Sequence, residues 1–173
     1  MASPAKFAHI ALHTTDIATA RDWYLKVLEA RVLFENDTIC FTSYDAEHHR
    51  VVFVNNPEFQ KPEKPLSNGT LHHYTFTYAH LDELLDKYAE LKEDSIEPFI
   101  CLNHGPTLSM YYADPMNNAL ELQIDTMTMD QASDFIDANF EKNPIGINFD
   151  PDDLVARRKA GASFSNIVEY VQS

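Results

Sequence analysis

Apolar positions along this chain change period repeatedly, and then the whole pattern returns. Residues 7–13 are short and apolar, which predicts a strand. Thr15 and Asp16 follow as N-cap candidates, and Ile17, Ala20, Tyr24, Val27 and Leu28 recur at helical spacing, predicting a helix over about 16–29. Residues 32–34, 39–44 and 50–54 read as three strands, split by Asn36-Asp37 and by the polar stretch 45–48. Residues 55–69, with Pro57, Pro62, Pro65 and Asn68-Gly69, read as a linker. The order then repeats. Residues 71–78 form a strand, Leu81, Leu84, Leu85, Tyr88 and Leu91 a helical stripe, and 96–102, 108–113 and 119–124 three more strands. The turn between the last two is Asp114-Pro115-Met116-Asn117-Asn118.

The pattern is two copies of one βαβββ unit, about 6–54 and 70–125, making a paired α+β domain over 1–125. Residues 126–173 differ. Helices are predicted at 130–140, 152–159 and 166–171, with a break at Asn143-Pro144-Ile145-Gly146-Ile147. This stretch is too short for its own core and is expected as a helical C-terminal extension packed on the paired domain.

Composition adds limits. At 173 residues and 45% hydrophobic, the chain can bury a core without disulfide staples. Cys40 and Cys101 each lie in an apolar, strand-like run, so buried free thiols in a reducing compartment are expected, a single disulfide being the alternative. A net charge of −14 repels phosphates and anionic lipid, which sets aside nucleic acid and membrane partners. With no signal-peptide core at the N-terminus and no membrane-length apolar run, a cytoplasmic protein is expected.

Candidate chemistry comes from three matching places. His9 is third in the first strand of unit one, His73 is third in the first strand of unit two, and Glu121 is third in the last strand of unit two. Period-2 alternation sets His9 with Phe7 and Ala11, opposite Ile10 and Leu12, and Glu121 with Ala119 and Gln123, opposite Leu120 and Leu122. A mid-strand carboxylate is costly to bury alone, and a divalent metal shared with two imidazoles offsets that cost. Two imidazoles and one carboxylate suit an Fe(II) site with open coordination positions.

The residues also carry a resemblance. The βαβββ pair, His9 in the first strand, His72-His73 opening the second unit, and Tyr111-Tyr112-Ala113-Asp114-Pro115 leading to Ala119-Leu120-Glu121 resemble the vicinal oxygen chelate superfamily. Within it the chain is most similar to the single-repeat-pair type I extradiol ring-cleavage dioxygenases, which act on catechols such as biphenyl-2,3-diol. Asp45-Ala46-Glu47-His48-His49-Arg50-Val51, Asn143 to Ile147 and Phe149-Asp150-Pro151 resemble the same group. The resemblance implies strands curled into an open barrel-like cup around Fe(II), with Mn(II) as the alternative ion. It implies a catechol and dioxygen as substrates, and a homodimer is the assembly it suggests. It selects His73 over His72 as ligand. It matches His49 to an acid–base histidine, Tyr111 to a tyrosine that hydrogen-bonds the substrate oxygen, and His104, before Gly105, to a histidine near the site, although its spacing to Asp114 is about two residues short of the family pattern. Glyoxalase-type members carry a fourth ligand on the last strand of unit one, where this chain has Val51-Val52-Phe53-Val54. Three ligands favour an oxygenase; a metal-dependent isomerase, epimerase or lyase and a metal-free small-molecule binder are the competing classes.

Other polar residues have ordinary structural explanations. His72 faces away with Tyr74 and Phe76, His80 stands by a helix start, Trp23 packs beside the helical stripe, and Asp150, Asp152 and Asp153 open a helix without the glycine and spacing of a calcium loop. His13 shares a face with His9 and is a reserve ligand candidate.

Overall fold

The computed structural model describes residues 3–67 and 71–169. Backbone packing divides the chain into two units, 1–67 with 114–118, and 68–113 with 119–173. The first contains β1 (Ile10–Thr14), α1 (Ile17–Val27), β2 (Arg31–Glu35), β3 (Ile39–Ser43) and β4 (Val51–Asn55). The second contains β5 (Tyr74–Thr77), α2 (Leu81–Glu93), β6 (Ile100–Asn103), β7 (Thr107–Ala113), β8 (Ala119–Asp125), α3 (Met129–Asn139), β9 (Ile147–Asn148), α4 (Pro151–Lys159) and α5 (Phe164–Val168). The α+β architecture and the doubled βαβββ order are as the sequence predicts. The sheets are mixed and open, β1-β4-β3-β2 and β5-β8-β7-β6-β9, with only β1–β4 and β5–β8 parallel.

In the first unit, Asp16 caps α1 by accepting from the Thr19 amide at 3.0 Å. Ala20, Tyr24 and Val27, three and four residues apart, are the residues α1 buries. They pack with Leu12, Cys40, Val51 and Phe53, the Tyr24 and Phe53 ring centres lying 4.9 Å apart. The Tyr24 hydroxyl donates to Asp114 Oδ2 at 2.8 Å. Asp114 also accepts from the Met116 and Asn118 amides and from Asn118 Nδ2, so one buried carboxylate ties its turn together. In the second unit, α2 buries Leu81, Leu84, Leu85, Tyr88 and Leu91 and packs on β8. The α2 side of β8 is Leu120, Leu122 and Ile124, which leaves Glu121 on the opposite face.

Several element ends differ from expectation. β1 begins at Ile10, because the carbonyls of Phe7 and Ala8 are taken by Arg50 Nη1 at 2.9 and 3.0 Å and not by a neighbouring strand. β5 begins at Tyr74 and β6 at Ile100, Pro98 having no amide to offer a ladder. His9 and His73 therefore stand one residue before their strands, still at equivalent places. β9 was not expected: two residues of the segment read as a break pair with β6, Leu102 to Asn148 and Asn103 to Ile147. The last helix spans 164–168, and residues 170–171 of its predicted range lie outside the described residues. The C-terminal elements pack within the second unit, through Arg158 Nε and Nη2 on Asp82 at 2.5 and 2.8 Å and Tyr88 Oη on Asp152 at 2.8 Å. Among the described residues, no helix is long and apolar enough to cross a membrane. The edge strand β2 is exposed along its length, Phe34 at 50%, and its pairing with β3 is irregular between Val32 and Phe34.

Both thiols are free and buried. Burial first, and Glu35 second, push Cys40 up to about 11; burial, with a contribution from Asp150, pushes Cys101 up to about 12. Both folded values exceed that of a free thiol, 9.0. Their contribution to stability is therefore complete below about pH 9 and lost as pH rises through 11 to 12. Iodoacetamide at about pH 8 should leave both unmodified in the native protein and label both in concentrated urea. Labelling of either in the folded state contradicts the buried-thiol assignment.

Candidate functional site

The second unit builds a polar row across three strands. The ladder pairs Thr75 with Glu121 and Tyr111 with Glu121, so the three side chains share a face. Glu121 is only 4% exposed, and a carboxylate so buried needs partners. Thr75 Oγ1 donates to Glu121 Oε2 at 2.5 Å, and His73 Nε2 lies 3.2 Å from the same oxygen. Tyr111 is hydrogen-bonded to Glu121; burial, then the charge of Glu121 and that bond, push its phenol well above the ordinary tyrosine range. His104 Nε2 lies 3.0 Å from the Tyr111 oxygen. A carboxylate oxygen accepts, so the phenol faces Glu121 as a donor and its oxygen can accept from His104. The His73 and Tyr111 rings meet edge to face with centres 5.4 Å apart. Beyond them, His72 Nδ1 and His73 Nδ1 share a proton at 2.7 Å, leaving His73 Nε2 toward the carboxylate.

His104 reaches this row despite its short spacing to the Asp-Pro turn. It leads into a tight turn at Gly105, whose φ is +92° and where a Cβ would lie 2.1 Å from Phe135. The amide of Gly105 donates to Asn103 Oδ1 at 2.8 Å, which closes that turn.

The same row in the first unit is apolar. Val52 pairs with Ala11 on one side and Phe41 on the other, so Val52 occupies the register position that Glu121 holds in unit two. Within the stretch 51–54, Val52 is thus the residue at the register position of Glu121. Next to this row stand His9 and His49, with His49 Nε2 3.1 Å from His9 Nδ1. The His49 ring stacks on Phe41 at 4.7 Å, and its Nδ1 lies 2.6 Å from His48 Nδ1. Burial lowers the His49 pKa, and the neighbouring His9 and His48 act in the same direction.

Arg50 holds this histidine pair in place from behind. Its Nε and Nη2 grip both oxygens of Asp45 at 2.8–3.2 Å, closing the loop that carries His48 and His49. Its Nη1 takes the carbonyls just before His9. The guanidinium, with the Glu47 amide, holds the Asp45 carboxyl down at about 2. Neither Arg50 nor Thr75 was apparent from the sequence.

Of the predicted residues, His73, Glu121, Tyr111 and His104 are gathered in the second unit, and His9 and His49 in the first. Among the described residues, no group of three or more His, Cys, Asp or Glu side chains is already gathered as a metal cage. The donor set nevertheless fits a divalent ion. Glu121 is buried beside an imidazole nitrogen, and among the described residues no Lys or Arg pairs with it. His13 meets Phe59 at 6.4 Å, Trp23 packs edge-on to Tyr24, and His80 caps α2.

A family model described as the Glyoxalase/Bleomycin resistance protein/Dioxygenase superfamily matches residues 6–122. The chain belongs to this superfamily. Two relatives from Rhodococcus globerulus are similar over nearly the whole length. Biphenyl-2,3-diol 1,2-dioxygenase 2 is 39% identical, with 98% of this chain and 90% of that one covered. Biphenyl-2,3-diol 1,2-dioxygenase 3 is 37% identical, with 94% and 86% covered. Among solved structures, a glyoxylase/bleomycin resistance protein/dioxygenase domain from Frankia sp. EAN1pec superposes with a TM-score of 0.59 at 17% identity, covering 71% of this chain and 99% of that one. A fosfomycin resistance protein from Listeria monocytogenes gives 0.57 at 16% identity, covering 75% and 98%. These superfamily members share the fold of paired βαβββ units.

Replacing Arg50 by Ala removes the Asp45 grip and the two carbonyl contacts together. It should lower the urea midpoint and speed proteolytic nicking of the 45–50 loop. Wild-type stability and nicking rate would show that Arg50 does not hold the loop.

Proposed function

We propose that this protein is an extradiol ring-cleavage dioxygenase that uses Fe(II), with Mn(II) as a substitute ion, to open a catechol. Glu121 carries the reading. It is a carboxylate buried on a strand beside His73, with Val52 in place of its counterpart in unit one. His9, His73 and Glu121 are the three residues that would hold the ion, and no fourth side chain is available at Val52 to close its coordination. The near full-length similarity to two biphenyl-2,3-diol dioxygenases supports the same chemistry and a catecholic diol as substrate.

The Fe(II) supplies, when bound, a Lewis-acidic and redox-active point where both catechol oxygens and dioxygen can be brought together. The chain's own residues bind and move protons around it. His49 is the proton carrier, taking a proton from a catechol hydroxyl at a ring nitrogen and returning it later. The Tyr111 oxygen, oriented by His104, meets a substrate oxygen. Phe41 and Val52 offer the aromatic ring an apolar neighbour in place of a charge. The balance is catechol plus dioxygen to a hydroxymuconic semialdehyde: one ring C–C bond beside the diol breaks, and both oxygen atoms enter the product.

Protein loaded anaerobically with Fe(II), mixed with 2,3-dihydroxybiphenyl or catechol and then exposed to air, should yield a yellow product with stoichiometric dioxygen uptake. Iron-loaded protein that consumes no dioxygen across a panel of catechols refutes the activity. Glu121→Ala should abolish iron retention, and unchanged iron content removes Glu121 from the centre. His49→Gln should keep the iron and lose about 10²- to 10⁴-fold in kcat. Full turnover in that variant would assign the proton to another group.

A further inference from the structure

Glu121 is held from both flanking strands, and the two grips differ. Tyr111, on the antiparallel side, is buried and shared with His104. Thr75, on the parallel side, is exposed and gives its hydroxyl to Glu121 Oε2 at a distance typical of a charge-assisted bond. Nothing in the packing asks for a threonine here. The side chain is not in the core, and valine has the same shape and strand preference. The equivalent position in unit one is Ala11, opposite Val52, where there is no carboxylate to hold. Two residues further along β5, Thr77 accepts from Gln123 Nε2 at 3.2 Å, so the threonine hydroxyls of this strand point at polar side chains of β8.

We propose that Thr75 is a positioning residue for the metal centre: its hydroxyl fixes the Glu121 carboxylate and so sets the site's affinity for the ion. This rests on Glu121 being a ligand, as proposed above. A glutamate side chain on a strand has freedom at three torsions, and a hydrogen bond to one oxygen removes most of it before the ion arrives. Partners of this kind, one step behind a metal ligand, commonly govern affinity by 10–100-fold. Thr75 does not need to touch substrate for this.

Mn(II) binding to the full chain, read from the EPR signal of the free ion, tests the idea without turnover. Thr75→Val should bind Mn(II) about 10- to 100-fold more weakly. Thr75→Ser, which keeps the hydroxyl, should stay within about twofold of wild type. Thermal unfolding of ion-free Thr75→Ser should match wild type, and ion-free Thr75→Val should stay cooperative with a midpoint lowered by about 2–4 °C. At saturating ion, Thr75→Val should keep the wild-type KM for catechol. Wild-type Mn(II) affinity in Thr75→Val overturns the proposal, as does equal weakening in Thr75→Ser. Glu121→Ala separates the two levels. If that variant loses Mn(II) while Thr75→Val keeps it, only the role of Thr75 falls. If Glu121→Ala itself binds normally, the metal centre falls and Thr75 with it.

Discussion

Burying one negative charge on the face of a sheet is the constraint around which the second unit is arranged. Glu121 sits in the middle of β8, flanked along its own strand by Leu120 and Leu122. Left alone, a carboxylate in this place would oppose folding. It stays because the strands on either side each bring a hydroxyl and the chain before β5 brings an imidazole. Backbone register does this work. Hydrogen bonds between strands decide which residues are side by side, and a slip of one residue would turn Glu121 into the leucine layer under α2.

The duplicated architecture makes the contrast instructive. In the first unit the same register row reads Ala11, Val52, Phe41, and in the second Thr75, Glu121, Tyr111. One fold thus carries an apolar surface and a charged surface at one address, with a histidine just ahead of the first strand in both. The proton-handling histidine of the reading proposed here, His49, lies against the apolar row, stacked on Phe41. The histidine of the first unit thus lies beside an aromatic ring, whereas His73 of the second lies beside a carboxylate.

Much of this was legible in the linear pattern. The alternation in residues 119–124 put Glu121 opposite the leucines, and the repeat put His9 and His73 at matching places, because strand period and helix period are both written in apolar spacing. What escaped has physical reasons. β1 starts late because a guanidinium from Arg50, forty residues on, takes its carbonyls, and no local pattern encodes that. β9 has two residues, too few for an alternation to show. Thr75 looks like any strand threonine until the parallel partner is known. His104 was hard to place by counting, since Gly105 turns the chain back toward Tyr111.

The two sheets also end differently. The outer strand of the second, β6, is covered by β9, whereas among the described residues its counterpart β2 has no outer partner strand and carries Val32, Leu33 and Phe34 exposed. A free sheet edge can recruit strands from other chains, the first step toward insoluble aggregates. The irregular pairing between Val32 and Phe34, and the charges of Arg31 and Glu35 at the two ends, act as guards on that edge. Five residues remote in sequence from Glu121 thus bear on association between chains, and a change that smoothed or neutralised them would favour strand pairing along this edge without touching the Glu121 row.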